Sequence, residues 1–151
     1  MGALVVGDYG ESQDEHIRYR YASRSINAYL GLNKIPRDVE KGPFYVMVAF
    51  IGSKAINPIF KNWMQVDAWH FMHFLSFQLG LFFLYRLCMR FTGKWAAFGA
   101  VLLFTTQPLL WGHSFINPKD IPFMSFFIAS VDMGLSMADS SEVALVEDNE
   151  E

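Results

Sequence analysis

Cysteine is all but missing from this sequence, and charge is nearly missing from its middle. One cysteine, Cys88, in 151 residues excludes an internal disulfide framework and carries no redox signature. Met1 to Gly7 holds a few apolar residues without a basic leading region or a long apolar run, so it does not read as a signal peptide. With a formal net charge of −3 there is no basic surface of the kind nucleic acid selects, and no nucleic-acid partner is expected. No internal repeat stands out, and the length suits one domain. The 52% hydrophobic content is ordinary and decides nothing by itself. Distribution decides more. Charges crowd into the first 67 residues and the last dozen, and the only biased segment is the acidic run from Glu142 to Glu151. Such a run is expected to be solvated and disordered.

What fills the uncharged middle is three apolar blocks, Ala68 to Leu84, Trp95 to Trp111 and Ile121 to Ala138. Each would make a helix of roughly 26 Å at 1.5 Å per residue, the short end of what crosses a hydrocarbon core about 30 Å thick. Trp69, Tyr85, Trp95 and Trp111 lie near block ends, where an aromatic belt would place them. A helical hairpin buried in a soluble domain competes with this reading, but so small a chain has little else to cover three helices with no charged face. The expected architecture is an all-α membrane protein with about three transmembrane helices. Its parts are an outer-face region over 1–67, a three-helix transmembrane region over 68–138 and an acidic tail over 139–151.

The turn Arg86 to Lys94 carries three cations and no acid, which assigns it to the cytoplasm by the positive-inside rule. The Gly112–Asp120 loop and the chain before Asp67 then face the other compartment. Within that leading region, Ser12-Gln13-Asp14-Glu15 has capping-box form. Tyr19, Ala22, Ile26, Tyr29 and Leu30 follow at helical spacing, and Gly31 supplies a stop, which predicts an amphipathic helix from about Gln13 to Leu30. A second juxtamembrane helix is predicted from Pro43, with an apolar run from Phe44 to Ile51 lying at the membrane surface and a break at Asn57-Pro58.

Two polar clusters fall on the outer side. One is Asp14 and Glu15 with His16, Arg18 and Arg20; the other is the loop Gly112 to Asp120. A carboxylate there can take a proton from an attacking hydroxyl, and a cation can stabilise charge on a departing phosphate. Each residue also has a structural reading. Glu15 can complete a cap, Asp14 can favour a helix N-terminus, and Asn117-Pro118-Lys119-Asp120 is turn chemistry with Asp120 capping the next helix. His70 and His73 sit one turn apart, but two histidines without a third ligand favour packing over metal binding, and no metal site is expected. Asp132, deep in the third block, is protonated, paired with helices outside the chain, or close to the cytoplasmic face.

Asp14-Glu15 in a first outer loop, a cation-rich inner turn, and then Gly112-His113-Ser114-Phe115-Ile116-Asn117-Pro118-Lys119-Asp120-Ile121-Pro122-Phe123 before another span form a combined pattern. It resembles the membrane glycosyltransferases of family 39, the dolichyl-phosphate-mannose protein mannosyltransferase type, which share the GT-C fold with aminoarabinose transferases. The resemblance covers about Gly7 to Asp139. The acidic pair alone is a weak motif, and the second-loop segment is more specific. The resemblance implies inverting transfer of a sugar from a polyprenyl-phosphate donor to an acceptor on the outer face, in a bacterial plasma membrane by the wording of the motif. It implies Asp14 as catalytic base, Glu15 as a positioning acid, and Asp120 with Lys119, His113 and Asn117 lining the second side. Arg18 and Arg20 are suggested as phosphate contacts by charge and placement. No cofactor is called for, and a divalent cation stays open. Members of the family carry a span before the acidic pair and many after it, so the expectation is an N-terminal fragment, inactive without the remainder of the enzyme. A non-catalytic small membrane subunit of a larger complex is the alternative.

Overall fold

The computed structural model describes residues 2–10, 15–32, 34 and 42–148, and among them there are helices and no strands. A short helix α1 (Gly2–Val5) runs into a 3₁₀ turn, Val6–Asp8. Helices α2 (Glu15–Tyr29), α3 (Phe44–Ile56), α4 (Gln65–Phe91), α5 (Lys94–Thr105), α6 (Pro108–Ile116) and α7 (Asp120–Asp148) follow. Ser12, Gln13 and Asp14, and the last residues of the acidic tail, 149–151, lie outside the described residues.

Local chemistry sets most helix ends. Gly31 adopts a positive φ of 74°, with Gly31 N–H donating to the Ala28 carbonyl and Leu32 N–H to that of Asn27. That paired arrangement is a Schellman stop for α2, and glycine occupies the left-handed position at no steric cost. At the start of α4, the Asp67 carboxylate accepts from the Met64 backbone N–H at 2.8 Å, satisfying one of the helix's orphan donors. The second apolar block is divided. Pro108 lacks an N–H and disfavours helical backbone at the residue before it, so Gln107 is extended (φ −65°, ψ 117°) and the block becomes α5 and α6. Two helices, over Gln65–Phe91 and Asp120–Ser141, are therefore long and apolar enough to cross a membrane. Beyond Asp139, where the charge run predicts a disordered tail, α7 continues as a helix to Asp148.

The pairing of α4 with α7 organises the rest. A Cβ built on Gly80 would meet Ser125, Arg86 reaches Asp132, and Arg90 reaches Asp132 and Asp139. Residue numbers rise together on both helices, so α4 and α7 are parallel. The chain between them must return along the whole pair, which α5 and α6 do: Phe104 stacks near Phe77, and Trp111 and Phe115 pack on Phe74. A core of Val6, Phe74, Phe77, Leu81, Phe115 and Ile121 gathers where α1, α4, α6 and α7 meet. Helix α3 runs antiparallel to the first half of α4, with Tyr45 against His73, Gly52 against Met72 and Lys54 near Gln65. Helix α2 leans on α3 through Ala22, Val46 and Ala49, all buried beside Trp69.

Asp132 is fully buried and is paired within the chain. Arg90 Nε donates to its Oδ1 at 3.4 Å, and the Arg86 guanidinium lies 3.2 Å from Oδ2. The Arg86 contact lacks hydrogen-bond alignment, so charge alone holds that oxygen. The stretch expected as a cationic turn is thus helical through Phe91, and its two arginines clamp the end of α4 to α7.

Candidate functional site

The first half of α4 carries an unusual run of buried polar side chains: Asp67, His70, His73 and Ser76. His70 and His73, one turn apart, look toward α2 and α3 rather than toward solvent. His70 Nε2 donates to Glu15 Oε1 at 2.6 Å, and both side chains are shut away from solvent, at 0% and 4% exposure. Glu15 opens α2, but its carboxylate is turned inward onto α4.

One turn further, His73 Nδ1 lies 2.8 Å from the Tyr45 hydroxyl on α3, which also lies 3.4 Å from the Met72 carbonyl. One assignment satisfies both donors of the His73–Tyr45 pair. His73 Nδ1–H donates to the tyrosine oxygen, and the tyrosine O–H donates to Met72. Burial pushes the Tyr45 phenol above its ordinary range, so it stays protonated and able to donate. Trp69 packs edge-on against His73 and Tyr19, closing the group on its second side. Tyr45→Phe removes the bridging hydroxyl and leaves a buried ring nitrogen without its partner. It should lower stability by about 1–3 kcal/mol, read as a lower melting temperature in detergent. An unchanged melting temperature would mean that the hydroxyl does not hold the ring.

The second cluster is the turn between α6 and α7. Asn117 Oδ1 accepts from the backbone N–H groups of Lys119 (3.0 Å) and Asp120 (2.9 Å), and its Nδ2 donates to Asp120 Oδ2 at 2.9 Å. His113 Nδ1 lies 3.4 Å from the same Nδ2. One asparagine thus knits the turn and brings His113, Asn117, Lys119 and Asp120 together. Lys119 and Asp120 remain exposed on the surface. Asp120 also opens α7, where a carboxylate suits the helix N-terminus.

Parallel packing fixes how the clusters relate. With Gly80 opposite Ser125, counting five residues back on each helix sets Asp120 level with Leu75. His70 is then about 7–8 Å further toward the α4 N-terminus at 1.5 Å per residue. Glu15–His70 and the Asn117–Asp120 turn therefore stand at one end of the α4–α7 pair, and Arg86, Arg90 and Lys94 at the other. Arg18 is half-buried on the next turn of α2, and Arg20 is exposed, its Nε donating to the His16 carbonyl. Asp14, the acid in the sequence next to Glu15, lies outside the described residues.

Sequence reasoning passed over His70 as a packing residue. Its partner stands 55 positions earlier, and only the pattern of polar residues at threefold spacing on an apolar helix hinted at a polar face. Among the described residues, no three histidine, cysteine or acidic side chains gather as a metal site. No protein-family model, curated protein or solved structure matches the chain.

Proposed function

We propose that this chain is an integral membrane protein that forms part of a glycosyltransferase of the family-39 type, moving a sugar from a polyprenyl-phosphate donor to an acceptor at the outer face of a bacterial plasma membrane. The observation that carries the reading is the buried Glu15–His70 pair at the same end of the helix pair as the Asn117–Asp120 turn.

Lipid is the solvent that suits the outside of the fold. Only 28% of the apolar window of either long helix is buried inside the protein, whereas the core helix of a soluble domain is mostly covered. Trp95, Phe98, Leu103, Leu109, Phe123 and Phe127 are all more than half exposed. In this reading the α5–α6 segment travels back over the same thickness between the parallel α4 and α7 and supplies a third crossing. Exposed Lys119 and Asp120 mark where water begins. Glu15 and His70 then stand about 7–8 Å outside that level, at headgroup depth, where the phosphate of a membrane-anchored donor lies.

The chemistry follows from that depth. An acceptor hydroxyl attacks the anomeric carbon, the carbon–oxygen bond to phosphate breaks, and the phosphate leaves with the bonding pair. Asp14 takes the hydroxyl proton. Arg18 and Arg20, on the helix that Glu15 opens, neutralise the leaving phosphate. In lipid nanodiscs the chain should bind polyprenyl phosphate in preference to the uncharged polyprenol. Replacing Arg18 and Arg20 by alanine should reduce that preference by about tenfold or more, the worth of charge-assisted contacts. Equal binding of phosphate and alcohol by the unaltered chain would end the proposal.

A further inference from the structure

The two histidines of α4 tie it to two different helices, His70 to Glu15 on α2 and His73 to Tyr45 on α3. The ties are not equivalent. Helix α3 also packs along the first half of α4, so Tyr45 is one contact among several. Helix α2 rests chiefly on α3, through Ala22 and the ring contact of Tyr19 with Phe50, and meets α4 at Tyr19–Trp69 and Glu15–His70. Of these only Glu15–His70 is polar and directional, and it lies at the very start of α2.

A carboxylate needed only to favour its own helix N-terminus does so from the surface, with no desolvation cost. Here Glu15 is buried together with the imidazole it accepts from, and burying such a pair carries a desolvation cost that a surface carboxylate does not. What it fixes is the direction in which α2 leaves α4. Arg18 and Arg20 follow on the next turns.

Resting on the proposed donor site, we propose that His70 is a positioning residue. By donating to Glu15 it holds the first two turns of α2 against α4, and so aims the Arg18–Arg20 cations at the donor phosphate. His70 touches no reacting atom in this scheme.

The test compares the unaltered chain with His70→Leu and His70→Gln in nanodiscs. It reads affinity for polyprenyl phosphate and hydrogen exchange of the α2 amides from Glu15 to Tyr19. Leucine keeps bulk but cannot donate, whereas the glutamine amide can donate much as Nε2 does. His70→Leu should lose about tenfold or more in affinity, the worth of one charge-assisted hydrogen bond, and its α2 amides should exchange faster while those of α7 do not change. His70→Gln should recover both. If the leucine variant does not fold, Glu15→Ala removes the same tie and is judged on the same two readouts. Unchanged affinity and exchange in the leucine variant would overturn the positioning role while leaving the donor site standing. Loss that glutamine does not recover would also overturn it, since bulk rather than donation would then be at work. No phosphate preference in the unaltered chain would remove the donor site and this inference together.

Discussion

Changing Arg86 and Arg90 together to leucine should unfold the α4–α7 pair far more readily than changing either alone, and adding Asp132→Leu should reverse most of the damage. Asp132 is fully buried in α7, facing the last turns of α4. One guanidinium donates to Oδ1 and the other stands 3.2 Å from Oδ2, so each single variant leaves one cation in place. Arg90 also donates to Ser136 and Asp139, binding a second turn of α7 to the same side chain. The double variant leaves a buried carboxylate with neither guanidinium, a loss of about 3–5 kcal/mol. By the usual relation for a chain of this size, that lowers the melting temperature by roughly 10 °C or more. The triple variant exchanges the charged group for an apolar one, and such replacements are often neutral or better. Thermal unfolding in detergent, followed by tryptophan fluorescence, separates the cases. A triple variant as unstable as the double would mean that the arginines act through packing of their stems.

That clamp marks the boundary of what was legible in the sequence. Helix existence was legible, because it depends on neighbours: the spacing from Tyr19 to Leu30, the glycine at 31 and the break near Asn57 yield α2 and α3 within a residue or two of their observed ends. Division of the second block is also local, but apolar content alone makes it one helix, and the signal of Pro108 was passed over. The persistence of α7 into the acidic segment is local too: no proline follows Pro122, so nothing in the backbone stops the helix where the charge rises. The pairings were not legible. Glu15 and His70 are 55 positions apart, and which of Arg86 and Arg90 meets Asp132 depends on helix register, which no local rule sets. Glu15 therefore had two local readings, a cap or a positioning acid, and neither points to His70 as its partner. For Asn117 to Asp120, turn chemistry was local, and the hydrogen bonds inside that turn follow it.

Register itself rests on one glycine. At Gly80 the two long helices approach so closely that a Cβ would lie 2.5 Å from Ser125 Oγ, 3.0 Å from its Cβ and 3.2 Å from its Cα. Small residues at such a crossing let backbones approach, and in lipid, where apolar surface gains little by leaving one hydrocarbon for another, that packing supplies much of the helix association. Gly80→Leu should force α4 and α7 apart, costing about 1–3 kcal/mol or more from overpacking. The damage should spread, because the same spacing aligns Arg86 and Arg90 with Asp132 and sets Asp120 level with Leu75. Gly80→Ala makes the argument sharper. Its methyl group collides first with two side-chain atoms of Ser125, so Ser125→Gly should restore part of the lost stability, while the contact with the α7 backbone keeps recovery incomplete. Melting temperatures of the two single variants and the double variant decide it. Strictly additive losses would mean that Gly80 and Ser125 do not face each other, and the register that sets the depth of Asp120 relative to Glu15 and His70 would fall with them.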